Sequence, residues 1–213
     1  MNLHLVRHPA PILDKSYCYG RSDIAVAPQT LALCCERVSQ MLPSPLLLWS
    51  SPLQRCADLA LALAQKLEVA EVTLDADLQE MDFGSWELRA WDDIAWDEVE
   101  AWNRDLLHHA PGGGETLLAM AARVWRSFDA LRALAADDCA VICHGGSIRL
   151  LRACAAWHAE HESDAANTSA TPATPDAHAL ESIALRALAD KRDVAFGEVI
   201  TLALGPRVSV LMR

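Results

Sequence analysis

The run Cys139-Ala140-Val141-Ile142-Cys143 constrains the fold more than any other stretch of the chain. It is apolar throughout, and His144-Gly145-Gly146 and a helical pattern from about Ser147 to His158 follow it directly. A short apolar run bounded by a turn signal reads as a buried strand, here one that feeds a helix. The same unit recurs. Leu3 to Arg7 reads as a short buried strand, and Pro9-Ala10-Pro11 cannot continue a central strand because proline donates no ladder hydrogen bond, so the chain leaves the sheet at His8. Leu46 to Ser50 and Val72 to Leu74 are the next strand candidates. Helices are expected from Gln29 to Leu42, opened by Pro28, and from Leu53 to Leu67, with Ser50-Ser51-Pro52 supplying a capping residue and a first-turn proline. Two more run from Trp91 to His109 and, after the break at Pro111-Gly112-Gly113-Gly114, from about Glu115 to Leu134. A helix from Leu180 to Asp190 and strands from Val194 to Leu204 and Val208 to Met212 complete the pattern. Strands alternating with helices predict an α/β fold, a three-layer α/β/α sandwich with a mostly parallel central sheet.

At 213 residues the chain is expected to form a single domain, burying roughly 70–75% of the surface its unfolded form exposes. Residues 160–178, rich in Ser, Thr, Ala, Asn and Asp, are expected to be a flexible low-complexity excursion within that domain. No stretch reaches the roughly 18 apolar residues of a membrane span, and the start has neither a basic region nor a signal-like run, so a soluble cytoplasmic protein without a membrane partner is expected. Eighteen Lys and Arg against 29 Asp and Glu give a formal charge of −11, which argues against nucleic acid as a partner. A small anionic substrate remains compatible where positive charge is gathered locally, because distant acidic surface is screened. The seven cysteines are odd in number and scattered, so no disulfide framework is expected, and Cys139 and Cys143 read as buried thiols and not as metal ligands.

In open α/β sheets ligands bind beyond the carboxyl ends of the strands. Four segments place polar residues there: Arg7-His8, Ser51 to Arg55, Glu80 with Asp82, and His144 with its glycines. Each has an ordinary structural reading as a packed histidine, a surface arginine, a polar loop or a tight turn. Together they supply two imidazoles, two guanidiniums and at least one carboxylate. That set suits phosphoryl transfer. Arginine forks match phosphoryl oxygens, a neutral imidazole can attack phosphorus, a second can stabilise the transferring group, and a carboxylic acid can protonate the departing alkoxide. No metal or other cofactor is expected, because the arginines take over charge neutralisation.

Leu5-Val6-Arg7-His8, Ser50-Ser51-Pro52-Leu53-Gln54-Arg55-Cys56, Leu78 to Glu87 and Cys143-His144-Gly145-Gly146 together resemble the histidine phosphatase superfamily in residue type, order and spacing. Cys18 to Asp23, Met81 to Gly84 and His108 to Glu115 look most like its alpha-ribazole phosphatase branch, in cobalamin biosynthesis. The resemblance implies a phosphoglycerate mutase-like fold and a metal-independent phosphomonoester hydrolase. It implies His8 as the phosphorylated nucleophile, Arg7, Arg55 and His144 as holders of the phosphoryl group, Glu80 as the acid–base, and Gly145 and Arg21 as binding residues. The partner implied is a small phosphomonoester, with alpha-ribazole 5'-phosphate as the preferred substrate. Pro9 departs from the superfamily's usual glycine and removes one N–H from the phosphate loop, and Leu88 replaces a frequent glycine.

Competing readings have their own sequence marks. A broad-specificity phosphatase would share every block above. A phosphoglycerate-mutase-like transferase needs extra basic residues for a carboxylate, yet Glu87 to Asp105 is acidic with only Arg89 and Arg104. A catalytically silent phosphate-binding module would have lost His8, Glu80 or His144, and all three are present. Trp86, Trp91, Trp96 and Trp102 read as a packed cluster, with one or two edging the pocket, and Glu115 as a first-turn helix acid.

Overall fold

The computed structural model describes residues 1–166 and 175–205. Strands β1 (Asn2–Arg7), β2 (Leu47–Ser50), β3 (Val72–Leu74), β4 (Asp138–Cys143) and β5 (Val199–Ala203) form one sheet in the order β3-β2-β4-β1-β5. The first four are parallel and β5 runs antiparallel to β1. Because strand side chains alternate, the sheet builds two cores. Leu3, Leu5, Cys139 and Val141 pack against α4 (Leu117–Arg132), α5 (Gly145–Ala166) and α6 (Ala177–Ala189). Val6, Leu48, Ala140 and Ile142 face the opposite layer, α1 (Pro28–Ser39) and α2 (Gln54–Lys66). This is the α/β/α sandwich expected of the strand–helix alternation. A third, smaller cluster of Cys18, Trp86 and Ile94, joined by Phe83 and Trp102, lies beside the short α3 (Trp96–Arg104).

Several local expectations are corrected. Ser51 is not the cap of α2. That helix begins at Gln54, whose amide donates to Asp23 Oδ1 at 2.6 Å from a loop 31 residues upstream. The stretch from Trp91 to His109 is not one helix: it breaks into a single turn at Trp91–Asp93 and the nine residues of α3. The last described strand starts at Val199 and not at Val194, because Gly197 turns the chain with φ of 69° and the segment before it crosses the sheet end. Glu115 precedes the first turn of α4, whose cap is Thr116 accepting from the Ala119 amide at 3.1 Å.

Helix also extends into both ends of the stretch expected to be a flexible excursion, since α5 continues to Ala166 and α6 begins at Ala177. A bidentate pair between Glu160 and Arg186, at 2.7 and 2.6 Å, ties the two helices together there. Residues 167–174 and the expected strand from Val208 to Met212 lie outside the described residues. Among the described residues no helix is long and apolar enough to cross a membrane.

Candidate active site

The parallel ladder assembles the site. Arg7 lies opposite Cys143, and pairing continues one residue beyond the strands: the His8 amide donates to the Cys143 carbonyl at 3.0 Å and the Ser51 amide to Ile142 at 2.9 Å. Three strand ends therefore deliver His8, Ser51 and His144 to one place. The two imidazoles sit with centroids 5.1 Å apart and both are buried.

His8 Nδ1 lies 2.7 Å from the Pro9 carbonyl oxygen. A carbonyl can only accept, so Nδ1 carries the proton of the neutral ring and the lone pair resides on Nε2. Burial, reinforced by the charges of Arg55 and Arg7, pushes the imidazole down to about 3. His8 is thus held neutral at ordinary pH, with its lone pair on Nε2. His144 is likewise held well below the usual imidazole range, first by burial and then by Arg55 and His8. Its Nε2 meets Ser51 Oγ at 2.9 Å and lies 3.4 Å from Cys56 Sγ.

Arg55, the second residue of α2, is completely buried. Its Nη1 donates to the Ser22 carbonyl at 2.7 Å and its Nη2 to that of Gly20. Arg7 Nη1 donates to the Val194 carbonyl, and the Phe196 ring stacks 4.2 Å from the Arg7 Cζ and 5.3 Å from the His8 ring. On both guanidiniums the remaining Nε is buried and has no partner among the described residues. Leaving such donors unpaired costs about 1–3 kcal/mol each, and an anion accepting from both removes that cost.

Glu80 stands across this positive region. Its carboxylate accepts from the Gly146 amide at 2.9 Å and from its own neighbour Met81 at 3.1 Å. Any side chain at 146 would collide with it, since a Cβ there would fall 2.3 Å from Glu80 Oε1. The loop bearing Glu80 is gripped by Arg123 of α4, which donates to the carbonyls of Asp77 (2.8 Å), Gln79 (2.6 Å) and Glu80 (3.1 Å). Glu115 holds that arginine in turn through a fork of 2.7 and 2.8 Å, which is its role in place of the helix-dipole one.

All five residues expected to act on the phosphoryl group thus converge. The two expected binding residues differ from them. Gly145 flanks Arg7, with a Cβ position 3.7 Å from the Arg7 Cζ, so it is Gly146 and not Gly145 whose lack of a side chain the site requires. Arg21 pairs with Asp82 at 3.3 Å and Glu115 at 3.8 Å, at the edge of the site. The tryptophans pack: Trp86 is fully buried and both Trp91 and Trp102 meet it and Phe83 edge-on, while Trp96 lies exposed. Ser51 belongs to one of the strand-end segments expected at the site, whereas Arg123 and Phe196 were not singled out in the sequence. Both lie outside the motifs, and only their position in the fold marks them.

The model of the histidine phosphatase superfamily (branch 1) matches residues 3–183. Among solved structures, the mycobacterial glucosyl-3-phosphoglycerate phosphatase is 27% identical with a TM-score of 0.63, over 74% of this chain and 79% of that one. A putative alpha-ribazole-5'-P phosphatase from Escherichia coli is 26% identical with a TM-score of 0.65, over 72% and 78%. The alpha-ribazole phosphatase from Shigella flexneri shares the fold over 94% of this chain and 89% of its own, at 22% identity and a TM-score of 0.71. Among curated proteins none matches the chain significantly. A family match across most of the length, over a site in which both histidines, both arginines and the glutamate meet, leaves one assignment: the chain belongs to the histidine phosphatase superfamily and is a phosphatase of that kind.

Proposed function

We propose that the protein hydrolyses a small phosphomonoester without a metal, through a phosphohistidine at His8, and that its preferred substrate is alpha-ribazole 5'-phosphate. The observation that carries the mechanism is the His8 imidazole, neutral and with its Nδ1 proton committed to Pro9, beside two arginine Nε donors. In the first half-reaction Nε2 attacks phosphorus, an N–P bond forms and the ester P–O bond breaks, with Glu80 giving its proton to the departing alkoxide. In the second, the Glu80 carboxylate takes a proton from water. The resulting hydroxide attacks phosphorus, the N–P bond breaks, and inorganic phosphate leaves with His8 again neutral. The arginines and His144 offset charge on the transferring group throughout, which is the work a metal does elsewhere.

The substrate preference rests on the three branch-like segments, which form one wall next to Arg21. Gly20 abuts the Met81 carbonyl, Gly84 abuts Gly112 and Gly114, and the Glu115 amide donates to Asp82 at 2.8 Å. Their contiguity supports a shared role at the mouth. Against the mutase reading, Arg89 is engaged by the Asp93 carbonyl and Arg104 by Glu100, at 2.8 Å in the second pair. All seven cysteines are free, which suits a reducing compartment such as the cytoplasm, and we place the enzyme there, in cobalamin biosynthesis.

The test is phosphate release from alpha-ribazole 5'-phosphate and from ribose 5'-phosphate, with and without exhaustive chelation. Undiminished activity after chelation and a kcat/KM about tenfold or more in favour of the ribazole, the factor that about 1.4 kcal/mol of differential transition-state binding gives, are expected. Equal values for the two substrates would reduce the function to a broad phosphomonoesterase, and activity restored only by added metal would overturn the metal-free mechanism.

A further inference from the structure

Glu87 lies seven residues beyond the acid–base Glu80, in a separate turn, and none of the chemistry above uses it. Yet its carboxylate gathers more hydrogen bonds than any other in the site region. Oε1 accepts from the amides of Arg21 (2.9 Å), Phe83 (3.0 Å) and Gly20 (3.2 Å), and Oε2 from those of Gly20 (3.0 Å) and Ser22 (3.1 Å) and from the Ser22 hydroxyl. Burial opposes its ionisation, but the Ser22 hydroxyl and the ring of amides hold it below the usual carboxylate range.

The loop that Glu87 shapes is the one that aims Arg55. With the Arg21 amide pointing at Glu87, the Gly20 carbonyl of the same peptide plane points the other way, and it and the carbonyl of Ser22, whose own amide and hydroxyl Glu87 holds, are the two acceptors of the Arg55 Nη2 and Nη1 donors. Asp23, next in the loop, caps the first amide of α2 at Gln54, so the same four residues grip both the backbone and the side chain at the start of that helix. A planar guanidinium with both terminal nitrogens fixed has its Nε direction fixed as well.

We propose that Glu87 is a positioning residue for phosphoryl recognition: it folds the 20–22 loop into the shape that points the Arg55 Nε at the phosphoryl group. This rests on the phosphatase reading of the site. Glutamine is the discriminating replacement, because whichever way its amide is turned, an NH2 faces donors where an oxygen accepted them.

Binding of inorganic phosphate, a product of the reaction, is measured by titration calorimetry in a double-mutant cycle of Glu87→Gln and Arg55→Lys, alongside thermal melts of all four proteins. Wild type is expected to bind phosphate, and Glu87→Gln to weaken it about tenfold or more, as expected when a charge-assisted hydrogen bond is misaligned. In the Arg55→Lys background, which lacks the planar fork, the same substitution should change affinity less than about twofold, while its effect on the melt persists. If Glu87→Gln does not fold, Ser22→Ala, which removes one donor from Glu87 but keeps the Ser22 carbonyl, is put through the same cycle with the same expected pattern at smaller amplitude. Equal loss of affinity in both backgrounds, or no loss in the Arg55 background, overturns the positioning role. Failure of the wild type to bind phosphate or to release it from any phosphomonoester would instead overturn the phosphatase reading itself.

Discussion

The carbonyl oxygen of Pro9 accepts a hydrogen bond from His8 Nδ1 at 2.7 Å, so the residue that departs from the superfamily's usual glycine still fixes the tautomer of the proposed nucleophile. Proline removes an N–H from the loop but leaves its carbonyl free to accept.

With Nε2 the only free nitrogen, His8→Ala should abolish hydrolysis of every phosphomonoester that the wild type accepts. Rapid quench of the wild type in alkaline detergent should reveal a phosphoenzyme, stable in base and lost in acid, that the variant lacks. An acid-stable adduct, as on serine, would move the nucleophile elsewhere.

Glu80→Gln should separate substrates by leaving group. An alkyl phosphate such as ribose 5'-phosphate needs its alkoxide protonated and should lose about 10²–10⁴ in kcat, whereas an aryl phosphate, whose phenolate departs unaided, should lose far less from the first half-reaction. Burst kinetics on both substrates read this directly. Equal losses would shift the acid role, with Asp82 next in line.

Gly145→Ala and Gly146→Ala should differ sharply although they are neighbours. A methyl at 145 makes an ordinary contact with Arg7, at 3.7 Å, and activity should stay within about threefold, the range of surface-like substitutions. At 146 it would sit 2.3 Å from the Glu80 carboxylate and displace it, so the variant should reproduce the leaving-group dependence of Glu80→Gln. Matching profiles for the two glycine variants would contradict the geometry.

Acid should destabilise the fold through its buried imidazoles. His8 stays neutral down to about 3, whereas in the unfolded chain it titrates near its ordinary 6.5. Below that pH the unfolded state binds a proton that the native state refuses, so stability is intact above about 6.5 and falls as pH drops, by up to about 1.4 kcal/mol per pH unit for each such group. His144 acts in the same direction. His8→Gln should therefore flatten the fall in urea midpoint between pH 7 and pH 5 relative to wild type. Parallel curves would mean that His8 is protonated in the folded protein.

What the sequence made legible here follows from what strands and turns do to residues. Arg7-His8 and His144 announce themselves because each directly follows an apolar run, and the strand-end rule carries them to one place without knowledge of any contact. Ser51 belongs to a strand-end segment, yet a serine before a proline and a helical run also has the local look of a cap, and it is the parallel register of β2 with β4 that brings it to His144. Glu115 was misread for a similar reason, since its partner Arg123 is two helical turns away and that pairing depends on where α4 begins. Phe196 carried no signal at all. Its segment has strand-like composition, and what pulls it over the site is a turn at Gly197 and the hydrogen bond of the Gly197 amide to the Arg7 carbonyl at 2.9 Å.

The position of β1 in the sheet has a consequence for how the protein is made. Its two neighbours are β4 and β5, whose paired residues begin at Asp138 and end at Ala203. During synthesis β1, which leads directly into His8, is therefore made before either neighbour and waits unpaired until Asp138 and the residues after it have followed. A ribosome-bound chain halted before β4 has no place to seat His8, and one halted before Val194 and Phe196 lacks the carbonyl and the ring that hold Arg7. Such long-range pairing is slow to form and leaves a sticky strand exposed in the interval. The pocket and β1, an interior strand of the sheet, thus mature together and late.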